Sequence, residues 1–212
     1  MDKRCPLCQL GEGEDFYENG RFYFRCPVCA LVFVPPQQFL AAEAEKAVYD
    51  LHQNAADDPG YRRFLGRLFV PVSQQLAAGS TGLDFGSGPG PTLALMFTEA
   101  GHTMHLYDPF YAPDPTPLQQ QYDFITASEV VEHLHHPRQE LERLWACLRP
   151  AGLLGIMTKR VLDQAAFSRW HYKSDPTHVC FFALETFTWL AAHWGAALRV
   201  WGDDVVILRK GG

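Results

Sequence analysis

After residue 60, the spacing of apolar residues alternates between two patterns, one typical of helices and the other typical of strands. Apolar side chains recur every three or four positions over residues 61–78, which predicts an amphipathic helix. Short apolar runs bounded by glycine, proline or aspartate predict strands at 82–85, 103–107, 123–127, 153–158, 198–201 and 205–209. Helical spacing returns between them, at 91–100, 137–148 and 184–194. This alternation predicts an α/β fold with a mostly parallel sheet and helices on both faces.

The first 60 residues have a different pattern. Two segments rich in aromatic residues, 16–17 and 21–24, flank Asn19 and Gly20, which predicts a β-hairpin. Residues 37–52 are rich in Ala, Glu and Gln and predict a helix that the sequence at 57–60 interrupts. We therefore expect a small hairpin unit and two helices ahead of the sheet.

Four of the six cysteines form two Cys-x-x-Cys pairs. Cys5 and Cys8 make the first pair, and Cys26 and Cys29 follow after 17 intervening residues. This spacing is typical of a structural zinc site with four thiolate ligands, and it predicts a zinc ribbon. Because the segment is too short for a core of its own, we expect the metal to hold it together. Redox-active or incidental thiols are the alternative; Cys147 and Cys180 are predicted to be core residues.

Charge and composition narrow the classes of partner. The chain has 212 residues, 47% of them hydrophobic, and a net charge of −6, which argues against a general nucleic-acid-binding surface. Arg62, Arg63 and Arg67 leave a local basic patch open. With neither a run of 18 apolar residues nor an apolar N-terminal stretch, we expect no membrane span, no signal peptide and a cytoplasmic location.

A glycine-rich loop follows the first predicted strand of the sheet. Gly86, Gly88 and Gly90 occupy every second position there, so that the backbone can turn sharply and approach a ligand closely. Asp84, near the end of the strand, can accept hydrogen bonds from a cationic ligand. The next strand ends at Asp108, whose carboxylate is placed to bind a ribose diol; a turn-forming role before a proline is the alternative.

Four segments together resemble the motifs of class I S-adenosylmethionine-dependent methyltransferases, in the family's order. They are residues 83–90, Asp108, residues 122–134 and residues 147–154. The resemblance covers about residues 60–210 and implies a Rossmann-like fold, methyl transfer and S-adenosylmethionine as the donor. It implies that Gly86, Ser87, Gly88 and Gly90 hold the methionine part of the donor, that Asp108 and Pro109 hold the ribose, and that Ser128 and Glu129 lie beneath the sulfonium and adenine. We accordingly expect a zinc ribbon at 1–34, a helical cap or lid at 35–80 and the Rossmann-like domain at 81–212.

The chain departs from that family between its second and fourth strands. Four prolines within residues 109–121 forbid the helix that usually precedes an edge strand there. We expect this edge strand after Asp108 to be lost. The residue that contacts adenine is then not determined, with Leu118 and Gln119 as candidates.

Polar and aromatic residues at 169–179 follow the fifth strand, on the side where open α/β sheets bind ligands. His178, and with it His171, is a candidate general base; bracing a loop is the alternative for His178. Glu129, Glu132 and His133 with His178 resemble the metal-binding set of small-RNA 2′-O-methyltransferases and ubiquinone-pathway O-methyltransferases. The resemblance implies a second site for Mg²⁺ or another divalent ion, although related Glu-His sequences also occur without a metal.

Several residues outside these motifs are weaker candidates. Tyr49, His52 and Tyr61 are candidates for a lid over the donor, with simple packing as the alternative. His135 and His136 are expected to face water at the start of the next helix.

The sequence therefore predicts a methyltransferase for an unidentified methyl acceptor, and the acidic charge favours a small molecule. The alternatives are an RNA- or protein-directed enzyme that captures its substrate with the ribbon, and a non-catalytic donor-binding protein whose ribbon docks a partner.

Overall fold

The computed structural model describes residues 1–51 and 55–212, and within these ranges the chain forms ten strands and six α-helices. The strands are β1 (Glu14–Glu18), β2 (Phe22–Arg25), β3 (Val32–Phe33), β4 (Thr81–Phe85), β5 (Thr103–Tyr107), β6 (Tyr122–Ser128), β7 (Leu148–Met157), β8 (Cys180–Phe181), β9 (Ala197–Trp201) and β10 (Val205–Arg209). The helices are α1 (Ala42–Tyr49), α2 (Pro59–Ser73), α3 (Thr92–Glu99), α4 (Pro137–Ala146), α5 (Gln164–Ser168) and α6 (Leu184–Trp194). Short 3₁₀ helices lie at Pro36–Gln38, Thr116–Gln119, Val131–His133 and His171–Ser174.

The main sheet has six strands in the order β5-β4-β6-β7-β10-β9. Strands β5, β4, β6 and β7 are parallel, whereas β10 runs antiparallel to both of its neighbours. The expected α/β fold with a mostly parallel sheet is confirmed. So is the loss of the edge strand: β5 forms the edge, and residues 109–121 supply only a 3₁₀ helix among the described elements.

Alternating side chains of the strands enter two cores, one on each face of the sheet. Phe124 and Ile207 face α2 and α3, where Leu68 and Phe97 cover them. Their neighbours along the strands belong to the other core, which α4 and α6 cover. The predicted helices therefore lie on both faces.

The cysteine-containing segment packs onto the same face as α4 and α6. Its buried residues Leu7, Tyr23 and Phe33 share one core with the strands of the main sheet. A second sheet, in the order β1-β2-β3-β8, joins the predicted hairpin to Cys180 and Phe181 far along the chain. The ribbon thus has a common core with the rest of the protein. The expected boundaries at residues 34 and 80 remain predictions.

Several elements begin or end away from their predicted limits. The helix expected at 37–52 begins only at Ala42, because Pro35 and Phe39 are extended on either side of the 3₁₀ turn. The helix expected to reach residue 78 ends at Ser73. Strand β7 begins at Leu148 rather than 153, because Leu148 pairs with Tyr122 across an irregular register; the preceding helix ends at Ala146 accordingly. The short elements β3, β8 and α5 carry too few residues for a sequence pattern, and none was predicted.

In the described parts of the chain, no helix combines the length and the apolar character needed to cross a bilayer.

Candidate functional site

A cavity of about 630 Å³ opens at the carboxyl ends of β4, β5 and β6. This is the end of an open α/β sheet where ligands bind. Helices α1 and α2 close it from one side, and a segment that precedes β8 closes it from another. Its polar and ionisable lining consists of Glu45, Tyr49, Tyr61, Ser87, Tyr107, Asp108, Tyr111, Ser128, Glu129, His133, His135, His136, Glu140, Asp175 and His178.

The glycine loop forms the floor of this cavity. The amide of Gly86 donates to the Tyr107 carbonyl over 2.8 Å, which ties the loop to the end of β5. Gly86 has a φ of +73°, and a Cβ there would lie 2.5 Å from Cγ2 of Val130. The backbone can therefore follow this path only with glycine at that position. Gly86, Ser87, Gly88 and the following Pro89 line the cavity as predicted residues of the loop, but Gly90 is outside the lining.

Asp108 fixes the loop to the turn after β5. One carboxylate oxygen accepts from the amide of Gly88 over 2.9 Å. The other accepts from the amides of Phe110 and Tyr111 over 2.8 and 3.0 Å. Asp108 and Pro109 both line the cavity, so the predicted ligand-binding and turn-forming roles of Asp108 are compatible.

Asp84 lies beneath the cavity, outside its lining. Its carboxylate accepts from Thr126 Oγ1 over 2.9 Å and is almost completely buried. Burial raises the pKa of Asp84 to about 7. This residue can influence a cationic ligand through its charge, and that charge depends on pH near neutrality.

The end of β6 brings Ser128 and Glu129 to the cavity wall, as predicted. Glu129 has a φ of +52°, a strained conformation for a residue with a side chain, and such strain concentrates at functional sites. The Glu129 amide donates to the Met157 carbonyl over 2.7 Å, which holds the bend. Its carboxylate accepts from the Tyr172 hydroxyl over 3.2 Å, and burial raises the pKa of Glu129.

Glu132, His133 and His178 form a cluster beside this strand end. Each offers one ligand atom within 4.8 Å of the others, whereas Glu129 is outside this group. Nδ1 of His178 lies 2.7 Å from the Tyr172 carbonyl, and Nδ1 of His133 lies 3.3 Å from that of Thr177. A carbonyl can only accept, so Nδ1 of His178 carries the proton and Nε2 carries the lone pair.

Glu132 is the buried member of this cluster. The Tyr172 hydroxyl donates to its Oε1, whereas Oε2 has no hydrogen-bond partner among the described residues. Burial raises the pKa of Glu132 to about 8 and lowers the pKa of His178. An orphaned, completely buried carboxylate oxygen needs a proton or a cation.

Three other predicted residues are outside the cavity lining. His171 is exposed, and its Nε2 lies 3.2 Å from Nζ of Lys159. Leu118 packs against the main core, and Gln119 is exposed. The cavity wall near Asp108 is lined instead by Phe110 and Tyr111.

The two helices ahead of the sheet bring further residues to the cavity. Tyr49 and Tyr61 line it, and His52 lies outside the described residues. Their role in a lid stays a prediction. The hydroxyl of Tyr49 donates to Glu45 over 2.8 Å, one helical turn earlier on α1. The i, i+4 spacing of these two residues was the available sequence signal for Glu45, which was not predicted.

The segments around α4 and β8 also differ in part from expectation. His135 was expected to face water but is half-buried, stacked on Phe39 at 4.4 Å between ring centroids. Only His136 is exposed there. Asp175 and Phe64 also line the cavity: Asp175 lies in the polar run at 169–179 that was expected on this side, and Phe64 lies on the predicted helix at 61–78.

The four paired cysteines meet as predicted. Sγ of Cys5 lies 3.6 Å from Sγ of Cys29, and Sγ of Cys8 lies 3.4 Å from Sγ of Cys26. All four are buried thiols rather than disulfides, within 4.8 Å of one another. Tetrahedral thiolates at zinc–sulfur distances of about 2.3 Å would be about 3.8 Å apart, so the arrangement fits zinc.

Two of the three arginines that left a local basic patch open form ion pairs. Arg62 pairs with Glu99, and Arg67 pairs with Asp204 over 2.5 Å. Both arginines belong to α2, on the face of the sheet opposite the ribbon. The two features therefore do not form one surface.

Comparison with known proteins identifies the class of domain. The family described as "methyltransferase domain" matches residues 57–199. No curated protein sequence matches the chain.

Solved structures of low sequence identity share the fold. The 1,6-didemethyltoxoflavin-N1-methyltransferase of Burkholderia thailandensis, solved with 1,6-didemethyltoxoflavin and S-adenosylhomocysteine, is 17% identical with a TM-score of 0.54; the match covers 94% of this chain and 100% of that chain. A chain from the Haloferax volcanii complex of the Trm112 methyltransferase activator with a methyltransferase is 9% identical with a TM-score of 0.53, covering 81% and 98%. An O-methyltransferase family protein of Burkholderia thailandensis is 13% identical with a TM-score of 0.50, covering 80% and 60%.

Proposed function

The chain belongs to the methyltransferase domain family, and on that premise we propose that it transfers a methyl group from S-adenosylmethionine to a small molecule. The observation that carries the proposal is the single cavity wall formed by the glycine loop, Asp108 and Glu129. A structure with the same fold was solved with S-adenosylhomocysteine and a small heterocycle, which supports the same classes of ligand here.

The cavity fits such a donor. The left-handed turns at Gly86 and Gly88 bring bare backbone to the floor, where a ligand can approach without meeting a Cβ. Asp108 would accept from the ribose hydroxyls, and Ser128 and Glu129 would lie beside the sulfonium. The donor supplies a methyl group bonded to that sulfonium. The chain's main task is then to align the methyl acceptor in line with the methyl group.

The charges around the cavity favour a neutral or cationic methyl acceptor. Five carboxylates line it, and no Lys or Arg is among the described lining residues. A phosphate-rich substrate would be repelled by these carboxylates, and only the cavity histidines could offset that repulsion. The paired arginines of α2 also give no support to a nucleic acid.

His178 would take the proton that the methyl acceptor loses. Its Nε2 carries the lone pair, because Nδ1 is held by the Tyr172 carbonyl. As the acceptor's oxygen or nitrogen bonds to the methyl carbon, the carbon–sulfur bond breaks, and the O–H or N–H proton passes to Nε2. A positioned base of this kind contributes roughly 10²–10⁴-fold.

The orphaned Oε2 of Glu132 favours a second version of this role. Glu132, His133 and His178 would hold Mg²⁺ or another divalent ion, which would orient and acidify an acceptor hydroxyl. Carbonyls behind both imidazoles are the usual support for metal-binding histidines. Direct titration with Mn²⁺, followed by its paramagnetic resonance, would detect this ion without relying on turnover.

The four cysteines would hold one zinc ion. The distances between their sulfur atoms fit four ligands of one ion. The hydrogen bond with Cys29 lowers the pKa of Cys5 to about 5, while burial raises the pKa of Cys8 to about 11. The ion would stabilise four thiolates together and hold the two Cys-x-x-Cys turns, at 5–8 and 26–29, against each other.

A screen for S-adenosylhomocysteine release tests the proposed function. We expect turnover with hydroxyl- or amine-containing molecules, and weaker turnover with their phosphorylated counterparts. His178→Ala should slow transfer at least a hundred-fold, whereas His193→Ala, a surface histidine beside Glu142, should leave the rate unchanged.

The alternatives predict different results. Donor binding without turnover on any acceptor would indicate a non-catalytic module, and a preference for RNA would contradict the small-molecule proposal. Loss of turnover with a weak chelator, restored by Mg²⁺, would select the metal version. A His178→Ala rate within about three-fold of the wild-type rate would exclude both roles of His178.

A further inference from the structure

The turn formed by residues 175–178 is an irregular part of the cavity wall. It lies between a 3₁₀ helix and β8, and it contributes Asp175 and His178 to the lining. Its internal hydrogen bonds are few. The amide and hydroxyl of Thr177 donate to the Asp175 carboxylate over 2.8 and 2.5 Å, and the His178 amide donates to the Asp175 carbonyl over 3.3 Å. Something outside the turn must set its position.

Arg21 in the ribbon holds both ends of this turn. One terminal nitrogen donates to the Asp175 carbonyl over 3.2 Å, and the other donates to the His178 carbonyl over 3.0 Å. A guanidinium is a rigid planar fork, so these two bonds fix the distance and direction between the two carbonyls. The guanidinium also lies over the Tyr23 ring at 5.7 Å, which restricts its own orientation.

Neighbouring residues of the ribbon extend this support on both sides of the turn. The hydroxyl of Tyr23 donates to the Lys173 carbonyl over 3.2 Å, ahead of the turn. Behind it, the Val34 amide donates to the Val179 carbonyl over 2.9 Å, and β3 pairs with β8. The turn at 26–29, which carries Cys26 and Cys29, connects β2 to β3. It therefore sets the distance between the Tyr23 contact from β2 and the pairing of β3 with β8.

We propose that Arg21 is a positioning residue for the methyl-acceptor side of the cavity. By bracketing residues 175–178, it places the imidazole of His178 and the carboxylate of Asp175 toward the methyl acceptor. The ribbon then has a role in the reaction as well as in stability. The role of His178 in transfer rests on the proposed function, but the effect of Arg21 on the turn does not.

The test compares Arg21→Met and Arg21→Lys with Arg25→Met. Arg25 is a matched control, because it lies in the same hairpin and, among the described residues, its side chain forms an ion pair only with exposed Glu185 at 3.8 Å. All three variants should bind S-adenosylhomocysteine within two-fold of the wild-type affinity, since neither the glycine loop nor Asp108 takes part in these bonds. Thermal unfolding of each variant shows whether it is folded before the other measurements are interpreted.

Two measurements on the turn do not require a methyl acceptor. Long-range ¹H–¹⁵N spectra at one fixed pH should show the Nδ1–H form of His178 in the wild type, and a mixture of forms in Arg21→Met. Hydrogen exchange at the His178 and Val179 amides should be at least ten-fold faster in Arg21→Met. Arg21→Lys, which keeps the charge but loses the fork, should fall between the two, and Arg25→Met should match the wild type.

The outcomes separate this proposal from the proposed function. Once an acceptor is known, Arg21→Met should reduce kcat at least ten-fold with unchanged donor affinity. If Arg21→Met matches Arg25→Met in both spectra and exchange, the positioning role is overturned, whatever the turnover. If the turn is disturbed in Arg21→Met while the wild type transfers no methyl group, positioning stands and the proposed function fails.

Discussion

The two walls of the cavity are built in contrasting ways. The wall predicted to bind the donor comes from one short stretch of chain, in which the Gly88 amide meets the Asp108 carboxylate only 20 residues away. The opposite wall joins distant segments, and Arg21 meets the His178 carbonyl across 157 residues. The geometry of the donor-binding wall therefore depends only on the main sheet. The opposite wall depends on the ribbon, and therefore on whatever holds the ribbon together.

The largest expected effect comes from breaking the ribbon, and it tests whether the opposite wall depends on a metal. Protein purified without added metal should contain about one zinc per chain. Cys26→Ser should lower that content and reduce the free energy of unfolding by ~4 kcal/mol or more, because Cys26 lies in the core that the ribbon shares with the sheet.

Cys147→Ser is the control for that change. Cys147 is also buried, but it is a lone cysteine whose thiol donates to the Leu118 carbonyl over 3.2 Å, a bond that serine can reproduce. Zinc content should stay constant, and the loss of stability should be well below that of Cys26→Ser, because the buried serine hydroxyl keeps a hydrogen-bond partner. A stable, ordered ribbon in metal-free wild-type protein would contradict the dependence on metal.

The same contrast explains what the sequence could predict. The glycine loop, Asp108 and the end of β6 were predicted because each follows a strand at a short, fixed spacing. The cysteine cluster was predicted because metal ligands repeat in pairs. The position of the hairpin against β8 was not, since strands of two residues carry no pattern. Arg21 has no local signature, and only tertiary packing brings it to the turn at 175–178.

Asp108→Ala should break the donor wall while leaving the opposite wall intact. The carboxylate loses its predicted bonds to the ribose and its bonds to the amides of Gly88, Phe110 and Tyr111. Charged hydrogen bonds of this kind contribute about 2 kcal/mol, so S-adenosylhomocysteine should bind about thirty-fold more weakly by calorimetry.

Asp114→Ala is the matched control on the same loop. Asp114 is exposed and accepts only from Thr116 in the structure, so its loss should change affinity by less than two-fold. Hydrogen exchange at the His178 amide should be unchanged in both variants. An unchanged affinity in Asp108→Ala would place the ribose elsewhere and would remove the main support for the donor wall.

The smallest expected effect concerns the pH dependence of the donor wall. Burial raises the pKa of Asp84 to about 7, and the nearby Asp108 carboxylate acts in the same direction. The ammonium group of the donor favours the ionised carboxylate, so the pKa of Asp84 should be lower in the complex than in the free protein. Binding then releases a proton. Affinity should therefore rise with pH up to about 7 and level off above it. One pH unit below its pKa, Asp84 is mostly protonated in the free protein and must lose that proton on binding, which weakens binding about ten-fold.

Calorimetry with S-adenosylhomocysteine at pH 6, 7 and 8, in two buffers of different ionisation enthalpy, measures both the affinity and the proton release. We expect affinity to be about ten-fold weaker at pH 6 than at pH 8. Asp84→Asn cannot ionise, so it should remove the Asp84 contribution. Any dependence left in that variant comes from the other titratable groups near the cavity: Glu129 and Glu132, whose pKa values burial raises, and the histidines, which become cationic as the pH falls. If the affinity of the wild type depends on pH no more than that of Asp84→Asn, the charge of Asp84 does not contribute to donor binding.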